Sequence, residues 1–322
     1  MGQPMIEVKH LKKYFNTRYG LLHAVDDINF TIEKGKTLGV VGESGCGKST
    51  LGRVMIRLIP QTSGEVLFNG ENVFDYQGEK LRDLHNNMQM VFQDPYSSLD
   101  PRMSVSQIIE EPLTHLERKM SAAERAAEVR KLMDTVGLAQ RFVNAYPHEL
   151  DGGRCQRIGI ARALAVKPKF IVCDEPVSAL DVSIQAQILN LMMDLQEEMG
   201  HSYMFITHDL SVVKYVSQDI AVMYLGQCVE KASTEELFAR PLHPYTKALL
   251  AAIPVLDTSR RNREIEIIKG EVTSPINPKP GCRFASRCPY AGPECTGENL
   301  PLTEVSPGHF VACAHPGIAD QK

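Results

Sequence analysis

The sequence predicts an α/β core interrupted by a helical subdomain and followed by a loop-rich C-terminal extension that carries a cysteine cluster. Three observations carry this expectation. Short apolar runs alternate with helix-period segments up to about residue 240, the pattern of buried strands joined by helices. Between Phe92 and about Pro147 the strand-like runs vanish and helical pattern dominates, as in an insertion into such a core. From Gly270 to Lys322 eight of the 19 prolines appear, with repeated Gly-Pro and Pro-Gly signals that leave no room for long helices.

The expected strands, in order, are Ile6–Val8, Ile28–Ile32, Leu38–Val41, Glu65–Phe68, Phe170–Cys173, Tyr203–Ile206 and Ile220–Tyr224. Ser121-Ala-Ala-Glu124 is a capping box and opens a helix expected to run to Gly137. Ser183 to Met199 sets Ile184, Ile188, Leu191, Met192 and Leu195 on one helical face and stops at Gly200, a good C-cap. The expected boundaries are a core over 1–240, with its helical subdomain at about 94–165, and an extension over 241–322.

Composition narrows the classes. The 322 residues are 43% hydrophobic and 23% charged, so a sizeable core is expected. A formal charge of -4 argues against a protein that coats nucleic acid. The sequence has no apolar run of ~18 residues, and its N-terminus lacks a secretory profile. A chain that stays in the cytosol and reaches a membrane only through a partner is the expectation.

The strongest motif is Gly42-Glu43-Ser44-Gly45-Cys46-Gly47-Lys48-Ser49, between the apolar strand Leu38–Val41 and the helical segment Thr50–Leu58. This is a phosphate-binding loop in its strand–loop–helix context. Glycines let backbone N–H groups approach phosphate oxygens, and the helix N-terminus favours the negative charge. Lys48 is expected to reach the β- and γ-phosphates of ATP and Ser49 to ligate Mg²⁺. The second motif, Phe170-Ile-Val-Cys-Asp-Glu175, is an apolar strand ending in two carboxylates. Asp174 can hold Mg²⁺, and Glu175 is available to polarise an attacking water.

The order of motifs resembles the ATP-binding cassette (ABC) ATPases, a P-loop family. Its signature appears as Leu150-Asp151-Gly152-Gly153-Arg154, where the usual pattern is Leu-Ser-Gly-Gly-Gln, so Asp151 and Arg154 are departures. Gln93 in Val-Phe-Gln-Asp-Pro resembles the Q-loop, which contacts Mg²⁺ and the transport partner. Ser178-Ala-Leu-Asp181 resembles the D-loop, and His208 the switch histidine at the γ-phosphate. Of Tyr14 and Phe15, Phe15 is preferred as the aromatic that stacks on adenine. The resemblance implies two cassettes head to tail, with each ATP held between one chain's phosphate loop and the other's signature. An aspartate at 151 would cap its helix but face a γ-phosphate of like sign. Arg154, three residues on, could offset part of that repulsion.

Pro241-Leu-His-Pro-Tyr-Thr246, Gly270 to Pro278 and Gly-Cys-Arg-Phe-Ala-Ser-Arg-Cys-Pro resemble the tail of oligopeptide and dipeptide importer ATPases. That implies an ATPase at the cytoplasmic face of the membrane. Its partners would be a second, homologous ATPase subunit, two membrane permeases and an extracytoplasmic peptide-binding protein. Importers of nickel or other small solutes share the architecture. A soluble, non-transport ABC ATPase and an iron–sulfur redox protein are the other readings.

Cys282, Cys288, Cys295 and Cys313 crowd one window, without the Cys-x2-Cys knuckles common in zinc sites. Four thiolates in a Pro-rich loop, with Pro289 directly after Cys288, suit a [4Fe–4S] cluster first, Zn²⁺ second and free thiols last. The expected role is a structural clamp on a tail with little core of its own.

Overall fold

The structure is a computed structural model that describes residues 4–116, 120–253, 270 and 273–318. They fall into two compact units, one within Met1–Glu33, Thr37–Phe74 and Thr207–Lys322, the other within Lys34–Lys36 and Asp75–Ile206.

In the first unit, β1 (Ile6–Thr17) and β2 (Gly20–Ile32) form a long antiparallel hairpin. The hairpin far exceeds the short ends expected from the sequence. Register shifts at Leu11, Lys13 and Tyr14 break its alternation of apolar and polar residues. β3 (Thr37–Val41) is buried at every position and leads into α1 (Lys48–Met55). β4 (Ser63–Phe68) pairs with β1, and β5 (Glu71–Asn72) pairs with β4.

The second unit is built on a parallel β6–β7–β8 arrangement of Met88–Val91, Phe170–Asp174 and Ser202–Thr207. Its helices are α2 (Gly78–Asn87), α3 (Val105–Thr114), α4 (Ala122–Thr135), α5 (Gly152–Leu164) and α6 (Val182–Met199). The expected 94–165 helical segment lies in this unit. The Ser121 capping box opens α4, and Gly200 closes α6 in the left-handed conformation. Leu189 takes a buried place on α6, whereas Leu191 is only half-buried.

The first unit resumes with α7 (Leu210–Val216), β9 (Asp219–Tyr224), β10 (Gln227–Ser233), α8 (Thr234–Ala239) and α9 (Pro244–Ala251). β9 runs parallel to β3 and antiparallel to β10. The tail adds β11 (Thr303–Ser306) and β12 (His309–Val311), with β12 antiparallel to β10. The extension is therefore stitched to the core sheet by backbone hydrogen bonds as well as by side chains.

Candidate functional site

The loop between β3 and α1 needs Gly42 and Gly47 for space. A Cβ on Gly42 would lie 2.1 Å from the Met223 carbonyl oxygen, and one on Gly47 would lie 1.9 Å from that of Ala24. Gly47 is left-handed and provides no side-chain cap, so no capping side chain from that position competes with an anion at the start of α1. Lys48 is buried, and its Nζ donates to the carbonyls of Gly42 (2.8 Å) and Glu43 (3.0 Å). The ammonium is thus held by the loop that it serves. Burial pushes the Cys46 thiol up, which makes it packing rather than a nucleophile. Ser49 and Thr50 are half-buried in the first turn.

Tyr14 and Phe15 differ sharply. The Tyr14 hydroxyl donates to Asp26, and its ring stacks on His23 at 4.0 Å. Burial and the Asp26 contact raise its pKa. Phe15 is exposed, with the Lys13 ammonium 4.8 Å from its ring centroid. His208 is also exposed, at the end of β8 and just before Asp209, which caps α7 by accepting from the Ser211 N–H at 2.7 Å.

In the second unit, β7 delivers Asp174 almost fully buried. Glu175 follows at φ 45°, a left-handed conformation costly for a residue with a side chain. Its N–H bonds the Ile206 carbonyl at 2.9 Å, and its own carbonyl accepts from the Ser178 N–H and hydroxyl. The Glu175 carboxylate accepts from Gln93 Nε2 at 3.0 Å. The sequence pointed to both residues separately; the fold brings them together.

Asp181 caps α6 through the Ile184 N–H at 3.0 Å. Asp151 caps α5, with Oδ1 accepting from the Arg154 N–H at 2.8 Å and Oδ2 from the Arg154 guanidinium. Arg154 also lies 4.9 Å from the Phe142 ring centroid. Gly153 is required by packing, since a Cβ there would meet Ile184 Cγ2 at 2.7 Å. Gly152 is less tight, with Leu180 at 3.2 Å.

Cys282, Cys288, Cys295 and Cys313 line one cavity with His243, Phe284 and His315. Burial, with opposition from neighbouring thiolates, pushes up the thiols of Cys282, Cys288 and Cys313, the last to about 11. Among the described residues, no three metal-ligating side chains are gathered as a chelating group. His243 is buried, with its pKa pushed down by that burial to about 4. Its Nδ1 accepts from the Tyr245 N–H at 3.1 Å, so Nε2 carries the proton, yet Nε2 is buried with no partner.

Sequence reasoning did not single out Arg283, Arg287, Tyr245 or Glu230 as important. Tyr245, Arg283 and Arg287 lie within the tail motifs, but each of the four is joined to a contact across a long stretch of chain, so local pattern does not reveal the partner.

Residues 25–178 match the ABC transporter family, and residues 229–295 match the oligopeptide/dipeptide transporter C-terminal region. The chain is 48% identical to the oligopeptide transport ATP-binding protein OppF of Salmonella typhimurium, over 96% of this chain and 95% of that one. It is 52% identical to OppF of Bacillus subtilis, over 97% of each. The dipeptide transport ATP-binding protein DppF of Haemophilus influenzae is 48% identical, again over 97% of each. Among solved structures, a post-hydrolysis dimer of the ATP-binding cassette MJ0796 with ADP and phosphate superposes at a TM-score of 0.65. It is 28% identical and covers 71% of this chain and 99% of that one.

Proposed function

The chain belongs to the ABC transporter ATPases and carries the C-terminal region of the oligopeptide/dipeptide branch; from that premise we propose that it hydrolyses ATP to power peptide uptake. The observation that carries this reading is the union of a complete phosphate loop, Gly42 to Ser49, with that C-terminal region in one chain.

Each residue has a task that follows from its setting. The N–H groups of the loop and of the start of α1 bind the phosphates, and Lys48 moves from the loop carbonyls to them. Phe15 stacks on adenine. Ser49, Asp174 and Gln93 would hold Mg²⁺, which would supply neutralisation of phosphate charge. Glu175 orients the attacking water, and Gln93 is already within hydrogen-bonding reach to hold that carboxylate in place. His208 senses the γ-phosphate. Asp151, Gly152 and Gly153 present their helix to the ATP of a second, homologous ATPase subunit, and Asp181 lies at that junction.

No helix among the described residues is long and apolar enough to cross a membrane. By analogy with the oligopeptide transport ATP-binding relatives, two permease subunits supply the path, this chain docks on their cytoplasmic side, and an extracytoplasmic binding protein delivers peptide.

The four tail cysteines are assigned to a [4Fe–4S] cluster, with Zn²⁺ as the alternative. The donor set fits. Four thiols line one cavity, and burial favours the protonated form of three of them, Cys282, Cys288 and Cys313, a cost that a bound cationic centre would offset. His243, whose buried Nε2–H lacks a partner, is among the residues lining the same cavity. The group, when bound, supplies a structural clamp.

Co-purification tests the whole reading. A tagged chain is expected to bring down two permeases and a second ATPase, with peptide-stimulated ATP hydrolysis. A monomer that hydrolyses ATP without membrane partners would point to a soluble ATPase.

A further inference from the structure

The tail reaches the phosphate loop at Glu43. The Arg287 guanidinium donates twice to the Glu43 carboxylate, at 2.9 and 3.1 Å, and also to the Tyr224 hydroxyl at 3.3 Å. The Glu43 N–H donates to the Tyr245 hydroxyl at 2.9 Å. Glu43 in turn offers its carbonyl to the Lys48 ammonium. An aromatic group of Tyr224, Tyr245 and Phe284, with centroids 4.8 to 5.4 Å apart, backs these contacts. The Arg287 side chain is 7% exposed and that of Glu43 27%, so solvent screens the pair only in part.

Glu43 poses an electrostatic problem. It places a carboxylate inside a loop built to hold a triphosphate, where its charge opposes that of the ligand. We propose that Arg287 is a positioning residue of the ATP site: it cancels and ties back the Glu43 carboxylate so that the loop accepts the nucleotide. The proposal rests on the reading of Gly42–Ser49 as the ATP loop. Arg287 acts through Glu43, not on the phosphates. Because it directly precedes Cys288, order in the cysteine-bearing tail is felt at the phosphate loop.

The test is a fluorescent-nucleotide titration of the full chain with ATP, ADP and AMP. Arg287→Ala is expected to weaken ATP binding about tenfold, the scale of one charge-assisted pair lost. The penalty should be larger for ATP than for ADP, and smallest for AMP, because the bared carboxylate opposes phosphate charge. Arg287→Lys keeps the charge without the fork and recovers part of the affinity. Adding Glu43→Gln to Arg287→Ala removes the offending charge and restores most of it. In hydrolysis the loss falls on KM rather than kcat. A purely structural role in the tail predicts neither the phosphate gradient nor the suppression.

The proposal is overturned if Arg287→Ala binds ATP like wild type, or if the double variant is no better than the single one. Should Arg287→Ala fail to fold, Arg287→Gln, which keeps hydrogen bonding, is read by the same criteria. Lys48→Ala distinguishes the underlying reading. If it binds ATP normally, the loop itself is misassigned; if it does not while Arg287→Ala and Arg287→Gln do, only the proposal falls.

Discussion

Glu230→Gln is expected to be the most damaging conservative change in the first unit. The Glu230 carboxylate is completely buried on β10. Its Oε1 accepts from the Leu242 N–H and from His309 Nε2, both at 2.7 Å, and its Oε2 from the His243 N–H at 2.9 Å. Glutamine supplies one acceptor oxygen, and its amide must then point two hydrogens at an N–H. One buried donor is orphaned at ~1–3 kcal/mol. Loss of the carboxylate also strips His309 of its buried counter-charge, and breaking such a pair typically costs ~3–5 kcal/mol in all. At about 2–4 °C per kcal/mol for a body of 150–250 residues, the melting temperature should fall by roughly 6–20 °C. Thermal and urea unfolding measure this. Burial alone would lower the His309 pKa, but Glu230 and Glu236 outweigh it and raise the value. The pair's contribution is therefore full below the ordinary histidine pKa of about 6.5 and is lost as pH rises through the raised one. The gap between wild type and variant should shrink over that window. A destabilisation below ~1 kcal/mol at pH 6 would refute the reasoning.

Two further outcomes follow from the same geometry. Arg154→Gln alone should impair the assembled transporter more than Asp151→Ser with Arg154→Gln, because it bares the Asp151 carboxylate that the arginine now neutralises; ATPase assays of the complex with one catalytic glutamate inactivated at a time decide it. Anaerobically purified protein should be brown with about four irons per chain, as a Cys-ligated cubane requires; stoichiometric zinc without iron after reconstitution would shift the assignment.

Legibility in the sequence tracked locality. The α4 capping box and the α6 stop at Gly200 are written in contiguous residues, and both were found where expected. The phosphate loop was readable because strand, glycines and helix follow one another. β6 was missed because Met88–Val91 has only four residues and an internal glutamine. β11 and β12 were hidden in a Pro-rich segment whose pairing partner, β10, is distant in sequence. Asp151 and Arg154 are three residues apart, so their pairing was foreseeable. Arg287 and Glu43 are 244 apart, and only the fold reveals that a tail residue pairs with the acid of the phosphate loop.

Peptide uptake into proteoliposomes carrying the permeases, the second ATPase and this chain puts the function to its most direct trial. With the binding protein and peptide outside and ATP inside, the wild-type assembly should accumulate peptide. Glu175→Gln should keep ATP binding but slow turnover ~10²–10⁴-fold, the loss of a general base, and uptake should fall with it. Undiminished accumulation with Glu175→Gln would contradict the claim that this chain's ATP hydrolysis drives transport.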